Sequence, residues 1–101
     1  MIEIYSHRQG GKCRLYVQGH AGYCPGNDIV CAGVSALIGA LTQYASTHSH
    51  YRHVRCRVHK GETFFACGEG AADGFDMIVY GLAAIAAAYP DYVRVHRTVT
   101  D

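Results

Sequence analysis

Two nearly continuous apolar stretches, Ile29 to Leu41 and Met77 to Tyr89, constrain the fold of this chain most, because their large side chains recur at helical rather than alternating spacing. Asp28 is suited to accept backbone N–H bonds at the start of the first helix, which carries Val34, Leu37, Ile38, Leu41 and Tyr44 on one stripe. The second begins at Asp73, buries Phe75, Ile78, Leu82, Ile85 and Tyr89, and stops at Pro90. Both apolar stretches are too short to span a bilayer and read as helices packed on a core.

The remaining segments alternate. Ile2 to Ser6 and Arg14 to Val17 form a hairpin around Gln9-Gly10-Gly11-Lys12. Val54-Arg55-Cys56-Arg57-Val58 sets Val54, Cys56 and Val58 on one face, as expected of a half-buried strand. Thr63 to Cys67 follows as its hairpin partner, and Tyr92 to Val99 closes the chain. The order ββαββαβ, with one-sided helices and one-sided strands, implies an α+β two-layer sandwich in which both helices cover one face of a largely antiparallel sheet.

With 101 residues, half of them hydrophobic, the chain reads as a single globular domain over residues 1–101. Nine Lys and Arg against eight Asp and Glu leave a net charge of +1, which argues against a dedicated binder of duplex DNA driven by phosphate neutralisation. The charge is uneven. Arg52, Arg55, Arg57 and Lys60 fall among four histidines in the stretch His48 to Lys60, which reads first as a solvated strand face and second as a surface for RNA or an acidic partner. The start Met1-Ile2-Glu3-Ile4-Tyr5 lacks the features of a secretory signal, so a cytoplasmic protein with reduced cysteines is expected.

The segment from Gly19 to Leu37 carries the chemistry. It puts His20 at a strand end, then a loop containing Gly22, Tyr23, Cys24, Pro25 and Gly26, then Cys31 in the first turn of the helix capped by Asp28. Helix N-terminal N–H groups stabilise a thiolate and can donate to an oxyanion on an attacked carbonyl. A loop that returns His20 beside Cys31 would supply a base. The bland alternative is a small core cysteine and a structural histidine. Strict alternation sets His20 opposite Leu15 and Val17, so either the strand breaks at Gly19 or that parity fails.

Gly19-His20-Ala21-Gly22-Tyr23 and Asp28-Ile29-Val30-Cys31-Ala32-Gly33-Val34-Ser35-Ala36-Leu37, with weaker agreement at Gly81-Leu82 and Tyr89-Pro90-Asp91-Tyr92-Val93, resemble the ribosomal-processing cysteine proteases, the Prp family. The resemblance implies a cytoplasmic, homodimeric endopeptidase without a cofactor. Its substrate would be the short N-terminal extension of large-subunit ribosomal protein twenty-seven. It also makes His20 and Cys31 the catalytic dyad. Asp28 serves first as helix cap and second as a group orienting His20. Ser35 is a supporting residue or a hydroxyl bonded to the preceding turn. Gly22, Tyr23 and Gly26 would form a loop that closes over the peptide. Cys24 reads as an idle surface thiol before it reads as a disulfide partner for Cys31.

Two rival readings carry weight. Five Cys and seven His are enough for a metal site, yet His48-x-His50-x2-His53-x2-Cys56 has no tetrahedral-site spacing and no Cys-x2-4-Cys pair occurs, so no metal is expected. A non-catalytic ribosome- or RNA-associated binding protein of the same fold is the alternative favoured by the basic stretch.

Overall fold

A computed structural model describes residues 1–23, 28–48, 50–59, 61–70 and 72–100. Seven elements follow in order: β1 (Ile2–Gln9), β2 (Lys12–Gly19), α1 (Ile29–Thr47), β3 (Arg55–His59), β4 (Glu62–Cys67), α2 (Ala72–Ala88) and β5 (Val93–Thr100). The strands form one sheet in the order β3-β4-β2-β1-β5, antiparallel except where β5 runs parallel to β1. This is the α+β arrangement anticipated from the pattern.

Connectivity explains why both helices share one face. The β2-α1-β3 crossover moves toward one edge of the sheet and β4-α2-β5 toward the other, but β2 and β4 run in opposite directions. Two right-handed crossovers that reverse both strand direction and travel direction put their helices on the same side. The helices then meet closely. A Cβ built on Gly33 would lie 3.3 Å from Ile85 Cδ1, and one on Gly81 would lie 3.0 Å from Leu37 Cδ1, so each glycine receives the other helix's large side chain.

The core lies between this helical layer and the sheet. Ile4, Leu15, Phe65, Phe75 and Leu82 are at most 1% exposed, joined by Val30, Val34, Ile38 and Leu41 from α1. Tyr44, assigned to the apolar stripe, is instead exposed and stacks on His48, while Val30 and Ala45 take core positions. The first helix runs 19 residues to Thr47, past its apolar stretch, and so becomes long and apolar enough by composition to cross a membrane. Here its apolar stripe packs in the core.

One strand departs from expectation. Alternation predicts a half-buried β3, yet all five of its residues are exposed, Val58 at 71%. Packed helices sit about 8–10 Å apart and strands about 4.8 Å, so two helices cover roughly four strands and the fifth overhangs. Alternation does put Cys56 and Val58 on the helix side, in register with Phe65 and Thr63, but no helix reaches them.

Candidate active site

The overhang turns one end of the sheet into a cleft. Its walls are the first turns of α1, through Cys31, Val34, Ser35, Ile38 and Gly39, and the β3–β4 hairpin, through Val58, His59, Gly61, Glu62 and Thr63. Val17, Gly19 and His20 complete it from the end of β2, and the space amounts to about 330 Å³. His20 and Cys31, separated in the chain by ten residues, thus line a single depression.

Gly19 resolves the parity conflict at His20. Its φ is +95°, in the region that favours glycine, and a Cβ there would collide with the Met1 carbonyl oxygen. The strand therefore breaks at Gly19, and His20 leaves the alternation that would have held it on the open face. The Gly19 N–H donates to the Gly61 carbonyl at 2.9 Å, which ties the strand end to the β3–β4 turn. His20 is exposed, and its Nε2 lies 3.5 Å from where a Gly61 Cβ would stand.

At the other wall, Asp28 caps α1 as its sequence position suggests. Its Oδ1 accepts from the Val30 N–H at 3.0 Å and the Cys31 N–H at 2.9 Å, and its Oδ2 accepts from the Tyr23 N–H at 3.2 Å. The Cys31 amide chiefly holds the Asp28 carboxyl below its ordinary range, with the Cys31 thiol and the Tyr23 and Val30 amides acting in the same direction against the effect of burial. No hydrogen bond joins Asp28 to His20 among the described residues, which leaves Asp28 with its capping role.

This cap changes the account of the oxyanion donors. The Val30 and Cys31 N–H groups are committed to the Asp28 carboxylate, and the Ala32 N–H donates to the Asp28 carbonyl at 3.1 Å. The donor aimed at the sulfur is instead the Ala21 N–H, 3.3 Å from Cys31 Sγ. Cys31 itself is half-buried, its thiol free.

Of the remaining residues read from sequence, Ser35 is exposed and lines the cleft. Gly22 and Tyr23 lie outside the cleft lining. The Tyr23 ring packs edge-on against Tyr89 and Tyr92, with centroids 5.5 and 5.1 Å away, so Tyr23 is held at the α2–β5 corner. Gly26 and Cys24 fall outside the described residues. Among the described residues no three His, Cys, Asp or Glu side chains converge as a cation site.

Sequence reasoning did not single out Val58, Thr63 and Gly39 as cleft residues. Parity already set Val58 and Thr63 on the same side as Val17; the missing signal was that two helices leave that side of the outer strands uncovered.

The fold has solved counterparts. The structure of an essential ribosomal processing protease Prp from Staphylococcus aureus, with a covalently linked product peptide, superposes with a TM-score of 0.85 at 22% identity, over 96% of this chain and 99% of that one. The same enzyme with a substrate peptide gives 0.79 at 21% identity over the same shares, and a Streptococcus mutans protein gives 0.75 at 22% over 99% and 96%. No protein in the curated set matches the sequence significantly. A family model described as cysteine protease Prp matches residues 1–94, and with that match over nearly the whole length the chain belongs to the Prp family and is a cysteine protease.

Proposed function

We propose that this protein is a ribosomal processing protease in which Cys31 is the nucleophile and His20 its proton carrier. The observation that carries the reading is that the two side chains line one cleft while the Ala21 N–H, from the residue beside His20, points at the Cys31 sulfur. The S. aureus relative of the same fold is described as a ribosomal processing protease and holds peptides, which supports a peptide substrate in this cleft.

The chemistry divides into two steps. In the first, Cys31 transfers its proton to His20 and the sulfur attacks the scissile carbonyl; the C–N bond breaks as His20 protonates the departing amine, which leaves a thioester on Cys31. In the second, His20 takes a proton from water, the hydroxide attacks the thioester, and the Cys31 sulfur leaves with the proton. Charge on the carbonyl oxygen needs a donor other than the first-turn amides held by Asp28, and the Ala21 N–H is the one at hand.

The finer substrate in this reading is the N-terminal extension of large-subunit ribosomal protein twenty-seven, and the reading includes a cytoplasmic homodimer; both rest on the family resemblance. The test incubates the purified protein with the extended ribosomal protein of the same organism. Cleavage at a single site within the extension, absent with Cys31→Ala and with His20→Ala, is the expected outcome. Cleavage that survives either substitution removes the dyad. Loss of cleavage with the ribosomal protein but retention with other peptides removes the substrate.

A further inference from the structure

Among the described residues no layer covers the face of the sheet turned away from the helices, and the strand register sets its side chains in rows. One row runs directly across all five strands: Arg57 on β3, Phe64 on β4, Tyr16 on β2, Tyr5 on β1 and His96 on β5. Four consecutive members are aromatic rings. Tyr5 and His96 are stacked with centroids 4.7 Å apart at 14°, and Tyr5 and Tyr16 stand 6.4 Å apart. Tyr5 is 43% exposed, while Tyr16 and Phe64 are half-buried and line two shallow depressions of about 280 and 390 Å³.

The neighbouring row is basic. Arg55, Arg14 and His7 follow one another there, interrupted only by Ala66. Among the described residues, Arg14, Arg55 and Arg57 are not ion-paired; in the row on the other side of the rings, Glu3 is held by His96 at 2.7 Å and Arg94 at 3.7 Å, and Glu62 lines the depression beside Tyr16. Rings beside unpaired guanidinium groups match a ligand that carries flat bases along a chain of negative charge. A second copy of this chain would bring the same arginines against themselves.

We propose that this open face binds single-stranded nucleic acid, with bases stacked on Tyr5, Tyr16 and Phe64 and the backbone phosphates along Arg14, Arg55 and Arg57. Five strands span about 19 Å, enough for two or three stacked bases. The site lies on the opposite side of the sheet from Cys31, so it is independent of the proteolytic reading.

The test measures anisotropy of labelled oligouridine and oligodeoxythymidine, about eight nucleotides long, with the full-length protein. Binding of either strand at about 50 mM salt is expected, with three phosphate contacts giving a log–log salt slope of about −2. Tyr16→Ala should weaken it roughly ten-fold or more, Tyr16→Phe should leave it intact, and Arg57→Gln should flatten the slope by about 0.7. Because the chain contains no Trp, quenching of tyrosine fluorescence on binding reports the stacking directly. No binding to either strand, equal binding of duplex, or indifference to both Tyr16→Ala and Arg57→Gln overturns the proposal. So does sedimentation as a dimer that Tyr16→Ala dissociates, which assigns the face to a second copy.

Discussion

The N–H of Ala21 and the sulfur of Cys31 meet at 3.3 Å, which couples the strand exit bearing His20 to the helix start bearing the thiol. Asp28 clamps the same junction, bonding Tyr23 on the loop and Cys31 on the helix through its two oxygens. Asp28→Ala should therefore lower peptidase kcat/KM by roughly ten- to a hundred-fold through misplacement of the sulfur, and lower the melting temperature by a few degrees through loss of the cap. Asp28→Asn should recover most of both. The Asp28 carboxyl titrates below its ordinary value of 3.8 in the folded chain. A depressed value means its contribution is present above the unfolded pKa and is lost as pH falls through the folded one. Acid unfolding followed by circular dichroism should show a shallower loss for Asp28→Asn than for the parent over that interval.

Gly19 combines a positive φ with a carbonyl where a side chain would begin. Gly19→Ala should cost about 2 kcal/mol or more, from backbone strain and the displaced Met1 carbonyl together. Gly10 also has a positive φ, +59°, but open space around it. Gly10→Ala should cost about 1 kcal/mol. Urea unfolding of the two variants measures the difference; equal costs would mean that the Met1 contact has no energetic weight.

Cys13 and Cys67 face each other across β2 and β4 in the core, and burial, followed by the proximity of Cys67, pushes the Cys13 thiol up to about 12. Iodoacetamide at mildly alkaline pH should label exposed Cys56 in the native protein and reach Cys13 only after denaturation, as peptide mass mapping would reveal. A raised folded pKa contributes stability that is fully present below the unfolded value near 9.0 and is lost as pH rises toward 12. Cys13→Ala should be less stable than the parent at neutral pH, yet lose less of what remains between about pH 9 and 11.

Val58 is a hydrophobic side chain on the cleft wall with little to pack against. Val58→Asp should raise KM for the peptide several-fold while kcat and melting temperature change little, since an exposed position carries little folding energy. A collapse in melting temperature would show that β3 is held by contacts this face does not display.

Much of this arrangement was legible in residue order. Asp28 marked the start of α1, Pro90 the end of α2, and the alternation along β2 identified Leu15 and Val17 as core. β1 and β2 proved longer than their apolar parts, to Gln9 and from Lys12, because the ladder pairs polar residues such as His7 and Arg14 as readily as apolar ones. What local pattern could not give was coverage. Periodicity reports which face of β3 matches the core but not whether a helix lies above it, and so Val58 and Cys56 read as half-buried when they are exposed. His20 was equally ambiguous, because only the positive φ of Gly19 beside Met1 shows that the strand ends at Gly19.

The unroofed outer strand makes the cleft beside Cys31 a shortfall of helix rather than a carved pocket. Lengthening a loop to lay a third helix there would be the simplest way to stabilise such a protein, and would silence it in the same stroke. Selection for activity in a chain this small must then tolerate a permanently unfinished edge.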